Sequence, residues 1–325
     1  MLEMVTGNVL TPAVLFFVIG LFAAVVKSDL KFPSGLSDAL SIYLLISIGL
    51  KGGIELSEHP AGEILKPVAG ALFLGIAIPI IVLFIGLRIG FDLKNAVGLA
   101  ACYGSVSIVT YGAAVSFLEA SAISFESFMG ALVVIMEGPA ILVAILLMRM
   151  IERKQGNGSA ARNQMGAVIR ESLFGKSILL LVGSLVIGWI CGHEKLPVIK
   201  PLFIDLYSGV LILFLLSMGL QAGQHLGVLR TYGLKLLVAG IGFPLLFGTL
   251  GVLVGSICEL SVGGITLLGV LAGSASYIAA PAALRASVPE ANPSIYLGLA
   301  LGITFPFNLM FGIPIYYHVA QFMIG

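Results

Sequence analysis

Charged side chains are what this sequence has least of. Aspartate, glutamate, lysine and arginine make up 10% of its 325 residues, against about 25% in soluble globular domains. Hydrophobic residues make up 59%, which is more apolar side chain than a soluble core of this size could bury. We therefore expect lipid to be the solvent for much of the chain. A formal net charge of only +1 argues against nucleic acid as a partner.

Metal-ligating and nucleophilic side chains are also scarce. The three cysteines and four histidines show neither the spacing of a metal site nor that of a nucleophile with its base. The sequence also lacks a phosphate-binding glycine loop, so neither a membrane enzyme nor a bound cofactor is indicated. The opening MLEMVTGNVL lacks the basic start of a secretion signal, and we expect the first apolar segment to remain as a helix.

Long apolar runs are what the sequence does contain. About 20 mostly apolar residues are needed to cross a bilayer, and continuous runs without alternation favour helices over a barrel. The second run is short, which predicts a tilted or broken helix. We predict an all-α polytopic membrane protein with ten transmembrane helices, at 10–26, 37–50, 67–88, 95–118, 127–150, 174–192, 203–220, 234–258, 263–286 and 294–320.

Basic residues are unevenly distributed over the connections between these segments. Thirteen of the 17 lysines and arginines fall on one side of the predicted membrane, and only Lys51, Lys66, Lys195 and Lys200 fall on the other. Because positive charge marks the cytoplasmic side, both termini are predicted to face outward.

The two halves of the chain resemble each other. SIGLKGG at 47–53 matches SMGLQAG at 217–223, and GSVSIVTYGAA at 104–114 matches GSASYIAAPAA at 273–283. The two offsets, 170 and 169 residues, are nearly equal. Two matches in the same order at one spacing indicate an internal repeat rather than chance similarity.

Each repeat would hold five spans, and an odd number turns the second repeat upside down relative to the first. We therefore predict inverted five-helix repeats at 1–150 and 174–325, joined by a cytoplasmic linker at 151–173. Secondary transporters commonly have this architecture and bind substrate near the middle of the membrane.

Both glycine–serine stretches interrupt a segment near its middle, in the fourth and ninth spans. Glycine permits backbone conformations that a helix forbids. Pro281, just beyond the second stretch, has no backbone N–H to donate to a helical hydrogen bond. Two half-helices are expected at each break, where N–H groups attract an anion and carbonyls or hydroxyls coordinate a cation. The alternative is that these small residues only permit close packing of helices.

Three other polar side chains lie at membrane depth. Glu137, in VVIMEGPAIL, is a carboxylate that lipid disfavours unless it is paired, protonated or bound to an ion. Thr304 and Asn308, in GITFPFNLMFGIP, flank Pro306, which predicts a further break in the tenth segment. The alternatives are a neutral packing carboxyl for Glu137 and an interhelical hydrogen bond for Asn308.

Three stretches carry a resemblance to a known family: IGLKGG at 48–53, SFESFMGALVVIMEGPAILVAIL at 124–146 and LRASVPEANPSIYLGLALGITFPFNLMFGIPIYY at 284–317. They resemble the sodium-dependent bicarbonate transporter family first known from cyanobacteria, and the similarity extends over 10–320. The resemblance implies a homotrimer in the bacterial plasma membrane, whose core domain moves against a gate domain. It also implies uptake of bicarbonate coupled to sodium, and a cytoplasmic regulator similar to the nitrogen-regulatory PII proteins.

The resemblance further implies that the anion and the sodium ion bind at the two breaks. This chain departs from the family pattern at Tyr277, where relatives carry an aspartate, and at Ile108 and Val109, which interrupt a run of hydroxyls. The expected substrate-binding residues are Gly104, Ser105, Ser107, Gly273, Ser274, Ser276 and Tyr277, and the expected sodium ligands are Thr110, Glu137, Thr304 and Asn308.

The leading hypothesis is a symporter that brings a small anion, bicarbonate, inward with sodium. Tyr277 and Ile108 make the breaks less polar, which leaves open a sodium- or proton-coupled carrier of another small organic anion. A membrane sensor or receptor is an alternative of another class, although the linker contains no recognisable domain.

Overall fold

A computed structural model describes residues 9–33, 35–154, 174–225 and 234–324, and within these ranges the regular secondary structure is helical, without a strand. Most of the predicted linker, 155–173, lies outside the described residues. We number the helices α1 Pro12–Val25, α2 Leu36–Glu58, α3 Ala61–Arg88, α4 Leu93–Gly104, α5 Ile108–Ala120, α6 Met129–Lys154, α7 Lys176–Cys191, α8 Tyr207–His225, α9 Leu234–Ile257, α10 Val262–Gly273, α11 Ala279–Ser287 and α12 Pro293–Ile324.

The lengths of these helices suit a membrane. Among the described residues, seven stretches are long and apolar enough to cross one: α2, α3, α4 together with α5, α6, α8 with the turns before it, α9 and α12. The shorter helices α1, α7 and α10 are also apolar. Each of the ten predicted segments therefore contains helix. The prediction of an all-helical polytopic membrane protein is confirmed, while the number of ten spans stays a prediction.

The second helix is longer than its sequence predicts. α2 continues without interruption to Glu58, past Lys51, so the expectation of a short or broken helix was wrong. The Lys51 side chain is 41% exposed, and its ammonium lies 3.9 Å from a carboxylate oxygen of Glu119 on α5. A long charged side chain that reaches water and a partner does not end a helix.

Two helix pairs approach each other backbone to backbone. α1 packs along α8, and α2 packs along α7, at glycines of both partners. A Cβ added at Gly219 of α8 would overlap the Phe17 carbonyl of α1, and one at Gly53 of α2 would overlap the Leu185 carbonyl of α7. Small residues allow this close contact, which is a main source of attraction between helices in lipid. We call these four helices the paired-helix unit.

The other eight helices form the rest of the fold, which we call the central unit. α3 packs on α4 and α6, and α9 packs on α10. α4, α5 and α10 are buried along nearly their whole length. Lipid therefore does not reach the ends of these helices, which is the condition under which irregular backbone is tolerated at membrane depth.

The last helix corrects a second expectation, because Pro306 does not break it. The chain stays helical but widens into π-helix at Ala300–Thr304 and again at Asn308–Gly312. The N–H of Phe305 donates to the carbonyl of Ala300, five residues back. A wider turn of this kind keeps the N–H before the proline bonded, although the proline itself has none to donate.

The glycine contacts predict the effect of a single methyl group on stability. Gly219→Ala would force α1 and α8 apart, and we expect a loss of about 1–3 kcal/mol of unfolding free energy, as for other overpacked sites. Thermal unfolding of the purified protein in detergent measures it. Gly209→Ala in the same helix is the matched control, because a Cβ there meets nothing within 4 Å. Equal unfolding temperatures for the two variants would contradict this account of the packing.

Candidate functional site

The first interruption lies between α4 and α5. α4 ends at Gly104, and Ser105 is extended (φ −82°, ψ 170°). Ser107 then caps α5, since its Oγ accepts hydrogen bonds from the Thr110 N–H at 3.1 Å and from the Thr110 hydroxyl at 2.8 Å. A Cβ at Gly104 would lie 2.8 Å from the ring of Pro79, so this helix end passes where only glycine fits.

The second interruption, between α10 and α11, is built in the same way. α10 ends at Gly273, and Ser274 has nearly the same extended conformation as Ser105 (φ −88°, ψ 174°). The Oγ of Ser276 accepts a hydrogen bond of 3.2 Å from the N–H of Ala280, in the first turn of α11. The two matching sequences therefore end their helices alike, but α11 restarts later than α5, after Ile278 rather than directly after the serine.

The two interruptions are hydrogen-bonded to each other. The N–H of Ser107 donates to Oγ of Ser274 at 2.9 Å, and that hydroxyl donates to the Leu271 carbonyl at 2.8 Å. In the reverse direction, the N–H of Ser276 donates to the Cys102 carbonyl at 2.7 Å. Polar groups at the two interruptions are thus hydrogen-bonded to each other, although about 170 residues separate the two stretches. We call the place where the two interruptions meet the crossing.

A small pocket lies at the crossing. Its volume is about 10 Å³, room for about one water molecule. Leu45 of α2 and Ser177 of α7 close it on the side of the paired-helix unit. Its polar lining on the other side consists of Ser107, Glu137, Ser276 and Tyr277.

Several polar atoms at the crossing have no hydrogen-bond partner among the described residues. They are Oε2 of Glu137, the hydroxyl of Tyr277 and Oγ of Ser105. Glu137 is only 2% exposed. The Tyr277 hydroxyl lies near Ser107 without reaching hydrogen-bond geometry, and its ring contacts Phe305 edge to face at 5.4 Å. Buried polar atoms without partners are costly in a finished fold, so they mark a place where a ligand is expected.

Two of the expected sodium ligands belong to a different cluster. Thr304 Oγ1 donates to the Gly240 carbonyl at 2.7 Å and lies 2.6 Å from the Tyr103 hydroxyl. Asn308 Nδ2 donates to the Gly273 carbonyl at 2.8 Å, at the end of α10. Neither side chain lines the small pocket, and their assignment as sodium ligands stays a prediction.

Sequence reasoning missed four members of the site. Tyr103 and Tyr316 are fully buried tyrosines, and Tyr316 Oη donates to Asn308 Oδ1 at 2.9 Å. Tyr103 directly precedes Gly104, so a tyrosine beside a helix break was a signal that could have been used. Leu45 and Ser177 gave no signal, since they reach the pocket from helices of the other unit.

Larger cavities lie on both sides of the crossing. One, of about 370 Å³, is lined by Lys176 and Arg285, and shares Ser177, Tyr277 and Ile278 with the small pocket. The other, of about 100 Å³, is lined by Lys51, Glu119 and neighbouring residues. The pocket therefore adjoins the cavity that contains Lys176 and Arg285, an arrangement that suits passage of a small polar solute from that side.

The oxygen atoms and N–H groups at the crossing can together hold an ion pair. Within the described ranges, no three His, Cys, Asp or Glu side chains are placed to bind a metal ion together. The donors present are hydroxyls, carbonyls and one carboxylate, which suit a hard monovalent cation. The helix starts at α5 and α11 supply N–H groups and a positive dipole end, which suit an anion.

The bond between the two interruptions predicts the effect of losing one hydroxyl. Ser274→Ala leaves the buried N–H of Ser107 without its acceptor, and we expect a loss of about 1–3 kcal/mol. Thermal unfolding in detergent would show it as a lower midpoint. Ser256→Ala, at a half-exposed serine of α9, is the control expected to leave the midpoint unchanged. A midpoint for Ser274→Ala equal to that of the control would mean that the crossing does not depend on this bond.

Comparison with known proteins identifies the family of the chain. Curated proteins give no match to the chain at a significant level. A family model described as the Na+-dependent bicarbonate transporter superfamily matches residues 12–321, which include both interruptions and nearly all the described helices. The expected resemblance is confirmed, and the protein is a transporter rather than an enzyme: the chain belongs to the Na+-dependent bicarbonate transporter superfamily.

Proposed function

We propose that this protein imports a small anion, bicarbonate, together with sodium, by alternating access at the crossed interruptions. The observation that carries the proposal is the pocket between the two breaks, where Oε2 of Glu137 and the hydroxyl of Tyr277 lack partners among the described residues. A transported ion pair would supply those partners and leave again, which a permanent structural contact would not do.

The anion is proposed to bind at the starts of α5 and α11. The first N–H groups of a helix have no partner within it, and the helix dipole adds positive potential there. Gly104, Ser105 and Ser107 would contact the anion from one break, and Gly273, Ser274, Ser276 and Tyr277 from the other. An arginine clamp, which suits larger dicarboxylates, does not line the small pocket.

Sodium is proposed to bind next to the anion, with Glu137 and Thr110 as oxygen donors. Two opposite charges close together offset each other in a site of low dielectric constant. The loaded protein could then carry the pair across as a nearly neutral unit. Thr304 and Asn308 would act indirectly, from the neighbouring cluster. Asn308 donates a hydrogen bond to the Gly273 carbonyl and so positions it beside the crossing.

Inverted repeats are proposed as the basis of alternating access, with ten spans in two sets of five. The pairing of helices supports this: α1 packs on α8 and α2 packs on α7, so the first helix of each proposed repeat packs on the second helix of the other. The repeat-related N–H groups of Ser107 and Ser276 also each donate a hydrogen bond to the other interruption. An inverted pair of repeats produces such reciprocal contacts.

The moving parts are proposed to be the paired-helix unit and the central unit, as gate and core. The small pocket supports the division, because residues of both units line it.

The larger cavity lies on the side of Lys176 and Arg285. The charge pattern predicts this side to be cytoplasmic, and we infer an inward-facing conformation. The homotrimer, the PII-like regulator and the outward termini stay predictions, and the linker lies outside the described residues.

Uptake into proteoliposomes tests the function directly. With an inward sodium gradient, we expect labelled bicarbonate to accumulate several-fold above vesicles given a matched potassium gradient. Protein-free vesicles correct for diffusion of CO2. Absence of sodium-dependent accumulation by demonstrably folded protein would reject bicarbonate symport. A screen of small carboxylates with sodium or proton gradients would then test the other carrier, which the Tyr277 ring in the pocket wall favours.

Replacement of the buried carboxylate tests the proposed ion site. Glu137→Gln keeps the shape of the side chain but removes the negative charge that would hold sodium. We expect the apparent sodium affinity of uptake to fall about tenfold or more, while thermal stability is maintained. Glu119→Gln, at a carboxylate that is 53% exposed, is the matched control. Normal sodium dependence in a well-expressed Glu137→Gln protein would remove Glu137 from the ion site.

A further inference from the structure

The 370 Å³ cavity has features of a binding site in its own right. It lies between the paired-helix unit and the central unit, with residues of α2, α7 and α8 on one side and of α6 and α11 on the other. It is far larger than the pocket at the crossing, which holds about one water. An anion could therefore enter this cavity with part of its hydration shell, but not the small pocket.

The charges that line the cavity do not cancel. Lys176 Nζ lies 3.2 Å from Asp38 Oδ1, so these two form a pair. Arg285, in the last turn of α11, forms no ion pair with a described carboxylate and interacts with the hydroxyl of Tyr296. An excess of one positive charge remains, and a cleft with apolar walls such as Phe214 concentrates its potential.

Neutral polar groups complete the cavity. Ser41, one helical turn after Ser37 on α2, is only 5% exposed, and its Oγ has no partner among the described residues. Gln221 of α8 reaches Ser217 only at 3.5 Å, which leaves most of its amide available. A buried hydroxyl without a partner is a group for which a ligand or ordered water is expected.

Tyr277 lies at the boundary between this cavity and the crossing. It lines both spaces, together with Ser177 and Ile278, and its ring is held edge to face against Phe305. Among the described residues, Glu137 lines the small pocket but not this cavity. An anion in the larger cavity therefore lies in a space that Glu137 does not line, and the two spaces can be occupied as separate sites.

We propose that the cavity next to Arg285 is a second binding site for the same small oxyanion, adjoining the crossing at Tyr277. Arg285 supplies the charge, and Ser41 and Gln221 supply hydrogen bonds. The anion stays partly hydrated here, and passage beyond Tyr277 replaces its remaining water with protein groups. This inference rests on the proposed function, in that the carrier takes a small oxyanion.

Charge-selective labelling of a cysteine in the cavity tests the proposal. Ala282 is exposed and lines the cavity, so Ala282→Cys places a thiol there, with Cys191 and Cys258 replaced by serine. We compare labelling rates with anionic and cationic methanethiosulfonate reagents, at fixed pH and ionic strength, with bicarbonate or gluconate as the anion. Potassium replaces sodium throughout, so no transport is required.

Bicarbonate is expected to slow labelling relative to gluconate. Arg285→Gln should abolish this protection and lower the ratio of anionic to cationic rates by about twofold to fivefold, as for loss of one charge in an aqueous cleft. Arg285→Lys should retain both effects, and Ser41→Ala should weaken protection without changing the rate ratio. Ser276→Ala, at the crossing, should leave protection intact.

Equal protection in Arg285→Gln and in the parent would overturn the second site, as would a lack of protection in the parent. Loss of protection in Ser276→Ala would also overturn it, because the two spaces would then act as one site. Failure of the proposed function gives a different result. Bicarbonate would then still slow labelling of the cysteine, whereas sodium-driven uptake would be absent.

Discussion

The fold depends on one constraint, which is that backbone N–H and carbonyl groups cannot remain unpaired in lipid. Two helices end in the middle of this protein, and each end exposes such groups. The N–H of Ser107 is bonded by the side chain of Ser274, and the N–H of Ser276 is bonded by the carbonyl of Cys102. Neither interruption would be tolerated alone at that depth. Together they satisfy each other and leave a few polar atoms for a ligand.

The remaining helices make that arrangement possible in two ways. α4, α5 and α10 are buried along nearly their whole length, α5 in part by α8 of the paired-helix unit, which keeps hydrocarbon away from the irregular backbone. The paired-helix unit is held by glycine contacts that leave no space between backbones. Among the described residues, it contributes Leu45 and Ser177 to the pocket. The site therefore lies at the boundary between the two units, which is where relative movement would open or close it.

Polar residues at membrane depth have two different roles in this protein. Glu137 and Tyr277 each have, at the pocket, an oxygen atom without a hydrogen-bond partner among the described residues, which suits a ligand that comes and goes. Thr304 and Asn308 are hydrogen-bonded to Gly240 and Gly273, and so hold backbone carbonyls beside the crossing. In the sequence the two kinds look alike, because hydrogen-bond partners from distant helices decide which atoms remain available.

The sequence by itself determined the class of protein, the approximate position of its helices and the two interruptions, because apolar length and glycine–serine breaks are local properties. It placed Gly104 and Gly273 at helix ends correctly. It misjudged α2 at Lys51 and α12 at Pro306, because the contact with Glu119 and the wider π-turns depend on surroundings that local rules do not include. Only the tertiary structure decided which residues of distant helices close the pocket, since those contacts follow from packing between helices far apart in the chain.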